Sequence, residues 1–114
     1  SFQNNELFIS EKVLKPILNF QPFILVGPYQ YLKELKNLGF KTFGDYWDES
    51  YDEIENPKER YMKIRELIIN LNKKTIEELN LLYKNVKHIC IYNNTKFNSL
   101  NIENSIDKIF NKLQ

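Results

Sequence analysis

The run Pro22-Phe23-Ile24-Leu25-Val26, closed by Gly27-Pro28, constrains this chain more than any other feature. Continuous apolar residues without polar alternation predict a strand buried on both faces, as strands of parallel sheets are. Tyr29 to Leu38 then places Leu32, Leu35 and Leu38 on one helical face with Lys33, Glu34 and Lys36 opposite, and Gly39 supplies the left-handed residue that ends many helices. Lys41-Thr42-Phe43 predicts a second, short strand. Strand, helix and strand over Phe23 to Phe43 make a compact βαβ unit, right-handed if both strands share a sheet. Two strands do not form a stable open sheet alone, so the rest of that sheet is expected from residues before Ser1 or from another chain.

The flanking segments read as follows. Ser1 to Glu6 is polar and leads abruptly into Leu7-Phe8-Ile9, as though the chain began just before an element. Ser10 is a plausible N-cap for a short helix over Glu11 to Asn19, with Val13, Leu14, Ile17 and Leu18 inward and Pro16 removing one hydrogen bond. Asp45 to Glu55 is acidic and aromatic without sustained periodicity, which predicts an irregular connector with Trp47 and Tyr51 on the core and most of its acids in water. Asn56-Pro57 starts a helix over Lys58 to Asn72, in which Tyr61, Ile64, Leu67, Ile68 and Leu71 keep helical spacing. Thr75-Ile76-Glu77-Glu78 is a capping-box start for the next helix. Ile76, Leu79, Leu82, Tyr83, Val86, Ile89 and Cys90 form its apolar face, Asn93-Asn94 predicts a break, and a final helix is expected from about Ile102 to Leu113. The division is a single domain over 1–114, with the βαβ unit and acidic-aromatic loop in 7–55 and C-terminal helices in 57–114.

Composition narrows the classes of function. A chain of 114 residues with 42% hydrophobic and 14% aromatic content supplies one core and no more. Lys and Arg total 16 against 15 Asp and Glu, so a net charge of +1 gives no global pull toward nucleic acid or anionic lipid. Cys90 is the only cysteine, which excludes an internal disulfide and a cysteine-based zinc site and predicts a reducing, cytoplasmic setting. No apolar run approaches the roughly 20 residues that cross a bilayer, and there is no signal-type N-terminus. No cofactor or metal is predicted, since His88 is the only histidine.

Few residues stand out for chemistry. Ser10-Glu11-Lys12 followed by Lys15 puts an acid and two bases on the first turns of a helix, where a carboxylate can accept from sugar hydroxyls and lysine can hold phosphate. The same residues serve equally as a capped helix start with solvated charges. Gly27-Pro28 ends the first predicted strand, where open α/β sheets place ligands, although any turn there has the same composition. The carboxylates of Asp45 to Glu55 would need to converge at a cleft to act as acid and base. Lys73-Lys74 and the scattered C-terminal lysines read as solvated faces, so nucleic-acid binding is disfavoured.

Taken together, Ile9-Ser10-Glu11-Lys12, Lys15-Pro16-Ile17, Gln21-Pro22-Phe23-Ile24, Gly27-Pro28, Leu38-Gly39-Phe40-Lys41-Thr42-Phe43 and Trp47-Asp48-Glu49-Ser50-Tyr51-Asp52 resemble a largely uncharacterised family common in phages, other large DNA viruses and marine bacteria. The resemblance covers Phe8 to Ile54. That family looks like the C-terminal, donor-binding half of GT-B glycosyltransferases, and its Ser/Thr-Glu-Lys helix before a Pro-led strand is similar to the donor segment of α1,3-fucosyltransferases. The resemblance implies an α/β fold holding a partial Rossmann-like βαβ unit, and a nucleotide-sugar donor as ligand. By it, Ser10, Glu11, Lys12, Lys15 and Gly27 would be donor-binding residues, with Glu11 on the ribose or sugar, Lys12 on the diphosphate and Gly27 lining the cleft. The glycine that such enzymes place before the Pro-led strand is replaced by Phe20-Gln21. No acceptor-binding lobe is present, so the chain alone is expected to be inactive, with its partner either a missing N-terminal lobe or another protein chain. The alternative is a non-catalytic viral or phage structural or host-interaction module.

Overall fold

The computed structural model describes residues 11–113, with side-chain surroundings given for residues 12–100 and Asn111. Ordered by sequence, the helices are α1 (Glu11–Leu18), α2 (Tyr31–Asn37), α3 (Pro57–Asn72) and α4 (Ile76–Leu113), with a 3-10 turn at Ser50–Glu53. At 1.5 Å per residue the 38 residues of α4 span about 57 Å, which matches the longest dimension of the molecule, 56 Å.

The α/β expectation is overturned: the described residues are all-helical and contain no strand, so neither a Rossmann-like βαβ unit nor a GT-B half is present. The reason lies in the ladder valence of the two segments predicted as strands. Residues 22–26 are non-helical, and their burial alternates: Phe23 and Leu25 are buried, while Ile24 and Val26 are more exposed. Period-two burial is the mark of extended chain, yet no neighbouring strand receives it. At Lys41 and Phe43, on one edge of residues 40–43, polar groups are taken by side chains instead. Asn93 of α4 accepts from the Lys41 N–H at 2.8 Å and donates to the Lys41 carbonyl at 2.9 Å. Glu49 accepts from the Phe43 N–H at 3.0 Å. A peptide bonded to a helix side chain has no valence left for a ladder, so the second segment stays unpaired as strand.

The core is assembled around these segments. Phe23 meets Phe43 edge to face at 5.1 Å, and Trp47 stacks on Phe43 at 5.1 Å. Val13 and Ile17 of α1, Leu32 and Leu35 of α2, Ile64 of α3 and Val86, Ile89 and Cys90 of α4 close around them. Helical spacing explains each contribution: Val13 and Ile17 are four apart, Leu32 and Leu35 three apart, Val86, Ile89 and Cys90 three and four apart.

Helix boundaries follow local chemistry. The Asn56 side chain accepts from the Glu59 N–H at 3.0 Å with Pro57 at the first helical position, which fixes the start of α3. The Thr75–Glu78 pair forms the predicted capping box reciprocally, at 2.9 and 3.1 Å, at the start of α4. These two bonds hold the Glu78 carboxyl below its ordinary pKa. The predicted break at Asn93-Asn94 does not occur, and the final helix is the continuation of α4. Both asparagines are bonded outward to other segments, Asn94 donating to the Ile17 carbonyl at 3.2 Å, so neither competes for the helix's own backbone.

Candidate functional site

The predicted donor residues are built on α1 and the turn after residues 22–26. Ser10 and the Glu11 side chain lie outside the described residues. Lys12 and Lys15 are exposed on α1, one turn apart. The Lys15 carbonyl accepts from both the backbone and the side chain of Asn19, at 3.1 and 2.9 Å, which ties off the helix end below the two ammonium groups. Gly27 sits farther along the chain. Its carbonyl accepts from Arg60 Nε at 3.0 Å, and a Cβ there would stand 3.2 Å from the Tyr31 ring. Tight packing against Tyr31 therefore accounts for the glycine without a ligand.

Phe20, just past α1, has a left-handed φ of 55°. Its N–H donates to the Ile17 carbonyl and the Gln21 N–H to the Pro16 carbonyl, at 3.3 and 2.8 Å. This is the Schellman arrangement, whose left-handed residue is usually glycine.

The acidic connector is spent on structure. Asp52 is 6% exposed, and its carboxylate accepts from the N–H groups of Leu32 and Lys33 at 2.9 and 3.1 Å. It thereby caps α2 from 20 residues away, in place of Gln30, whose side chain makes no cap bond. Most of the connector's acids are exposed, as expected, the exceptions being Asp52 and the part-buried Glu49. Tyr51 is 2% exposed; burial raises its hydroxyl well above the usual tyrosine range, and that hydroxyl accepts a long 3.5 Å bond from the Leu25 N–H. Asp48 stays exposed, its pKa lowered by its bonds to Ser50 and, less, by Lys63 at 3.6 Å. Asp45, Glu53 and Glu55 are exposed on the surface.

Two residues that organise this region escaped the sequence reading. Arg60 binds the carbonyls of Gly27, Ile54 and Glu55 at 2.8–3.0 Å, and Asn93 is 1% exposed on the buried face of α4. The signal for Asn93 was its register, three residues after Cys90 on an otherwise apolar stripe. A polar side chain there must find partners.

An apolar cavity of about 310 Å³ opens between Pro22, Phe23, Ile24 and Trp47 on one side and the α3–α4 hairpin on the other. Ile68 of α3 and Leu79 and Tyr83 of α4, at its margin and expected to face inward, are exposed instead. The Trp47 indole N–H is buried with no partner among the described residues. A second, more polar hollow of about 430 Å³ is bordered by Lys36, Lys41, Asp45 and His88. Lys12, Lys15 and Gly27 border neither. Burial raises the Cys90 thiol pKa, which keeps it protonated and unreactive.

The class defined by these features is a small helical domain with one extended segment left open. No known protein family, curated protein or solved structure matches this chain. Among the described residues no helix is long and apolar enough to cross a membrane, and no cluster of His, Cys, Asp or Glu is placed to hold a metal.

Proposed function

We propose that this chain is the nucleotide-sugar-binding part of a sugar-transferring protein, working in the cytoplasm and competent only when another polypeptide covers its open face. The observation that carries the reading is the exposure of Lys12 and Lys15 on α1, ahead of the left-handed turn at Phe20. Lys12 and Lys15 present their charges one turn apart just ahead of that turn, where an ammonium group can neutralise a diphosphate. The reading rests on these residues and not on a sheet. Titration calorimetry of the chain with GDP and UDP sugars tests it: binding by one nucleotide class, weakened about tenfold or more by Lys12→Gln, supports the reading. Heat changes indistinguishable from buffer with every nucleotide would end it.

A second reading, a non-catalytic interaction module, is favoured by the uncovered apolar margin of the α3–α4 hairpin, where Ile68, Ile76, Leu79, Leu81 and Tyr83 are exposed. If calorimetry is silent while the chain associates, this second reading replaces the first.

A further inference from the structure

A net charge of +1 says nothing of how charge is distributed, and the more polar hollow concentrates it. Lys36 in the last turn of α2, Lys41 just past Gly39 and His88 of α4 border that hollow, against one bordering carboxylate, Asp45. None of the three basic side chains has an ion pair among the described residues. The Lys41 ammonium lies over the Tyr92 ring instead, 4.2 Å from its centre, and His88 meets Tyr46 edge to face. Lys96 adds positive charge beside Gly39, its ammonium 3.2 Å from where a Gly39 Cβ would stand.

Thr42 and Gly44 line the same hollow, and their backbone is not bonded by the fold. Asn93 holds both the N–H and the carbonyl of Lys41 and Glu49 takes the Phe43 N–H, so those groups share one edge of the segment. In extended chain the polar groups of the intervening Thr42 point to the other edge. The N–H groups of Thr42 and Gly44 and the Thr42 hydroxyl have no partner among the described residues.

We propose that this hollow binds the phosphoryl group of a small phosphate monoester. Charge selects an anion, since two ammonium groups and an imidazole face one carboxylate there. The unbonded N–H groups and the ammonium donors select one rich in acceptor oxygens, and a phosphoryl group brings three of them with more charge than a carboxylate. Volume selects an ester: at roughly 30 Å³ for each water-sized group, about 430 Å³ has room for on the order of fourteen, more than the free ion fills. A polynucleotide would need basic groups repeated along a groove, whereas these converge on one hollow. Lys12 and Lys15 do not border it, so the inference goes beyond the donor reading and stands or falls separately from it.

The test uses the full chain, isotope-labelled and titrated at constant ionic strength with glycerol phosphate, inorganic phosphate and acetate while amide resonances are followed. The Thr42 and Gly44 amides should shift saturably with glycerol phosphate, more weakly with inorganic phosphate and least with acetate. Lys36→Gln and Lys41→Gln should each raise Kd about threefold or more, and the two together about tenfold or more, with the helical circular dichroism unchanged. Asp45→Asn removes the opposing charge and should lower Kd about twofold. The absence of a saturable shift at these two amides overturns the proposal, as does an equal response to acetate, tighter binding of the free ion than of the ester, or indifference to both lysine substitutions. Shifts confined to α1 would place the phosphoryl group at Lys12 and Lys15, overturning this inference while donor binding stands.

Discussion

Two successive units of the chain share one plan, a helix, a left-handed turn and an extended segment, and differ in how fully their backbone is satisfied. Both α1 and α2 end in the Schellman arrangement: Gln21 N–H reaches the Pro16 carbonyl in one, and Phe40 N–H reaches the Leu35 carbonyl in the other. The left-handed residue is Phe20 in the first and Gly39 in the second. After Gly39, Asn93, Tyr92 and Glu49 bind the peptides of Gly39, Lys41 and Phe43. After Phe20, Tyr83 binds the Phe20 carbonyl, and residues 23–26 have only the long bond to Tyr51. Asn93 and Tyr92 of α4, with Glu49, thus bond one edge of the second segment, where Thr42 has no partner among the described residues, and leave the first more open. Saturated backbone gives a fixed structure, whereas open backbone in an apolar segment leaves a binding edge.

Four experiments break or sharpen that contrast. The largest effect is expected at Asn93. Asn93→Leu leaves both polar groups of Lys41 without a partner beside the core, and should lower unfolding free energy by about 2–4 kcal/mol in urea melts. If Asn93→Leu were neutral, the bonding of the second segment would carry no stability and the contrast would collapse. Next is Asp52→Ala, which uncaps α2 at Leu32 and Lys33 and should cost about 2 kcal/mol by the same measurement.

The turns come third and make a paired test of opposite sign. Gly39→Ala puts a side chain at φ 99°, where the new Cβ would lie 2.6 Å from Lys96 Cε, and should destabilise by about 1–2 kcal/mol. Phe20→Gly relieves the left-handed strain and should raise the thermal midpoint, by roughly 1 kcal/mol of stability at most, because glycine also frees the unfolded chain. The smallest effect is pH-dependent. The Glu78 carboxyl is depressed when folded, so its contribution is present above its unfolded pKa and is lost as pH falls through the folded value. The protection factor of the Thr75 amide, measured against its intrinsic exchange rate, should fall over that acid window, and Glu78→Gln should flatten the response.

Much of the helical layout was legible in the sequence because it is set by local chemistry. The capping box at Thr75 and Glu78, the Asn56-Pro57 start and the left-handed Gly39 depend on residues only a few positions apart, and each stands where the sequence puts it. The error lay in the two strands. Apolar continuity in residues 22–26 reports burial and extension, but a strand also needs a partner's backbone, and nothing in a local window says whether one exists. Asn93 was taken for a helix break for the same reason: alone it is a poor helix former, and only its distance from Lys41 shows what it bonds. Of the candidate site, the exposure of Lys12 and Lys15 followed from helical spacing, while Gly27 proved to sit against Tyr31 and Arg60, contacts formed across the fold.

The sequence by itself determined where most helices begin and which side chains share a helical face, since those choices are made by residues within one or two turns of each other, while tertiary packing decided how much of each face is covered. The tertiary structure alone decided which peptides of the extended segments find partners. Asn93 lies 52 residues from Lys41, and Asp52 lies 20 residues from Leu32. Hydrogen bonds over such separations exist only after the helices have packed, and their distribution is what closes one segment and leaves the other open.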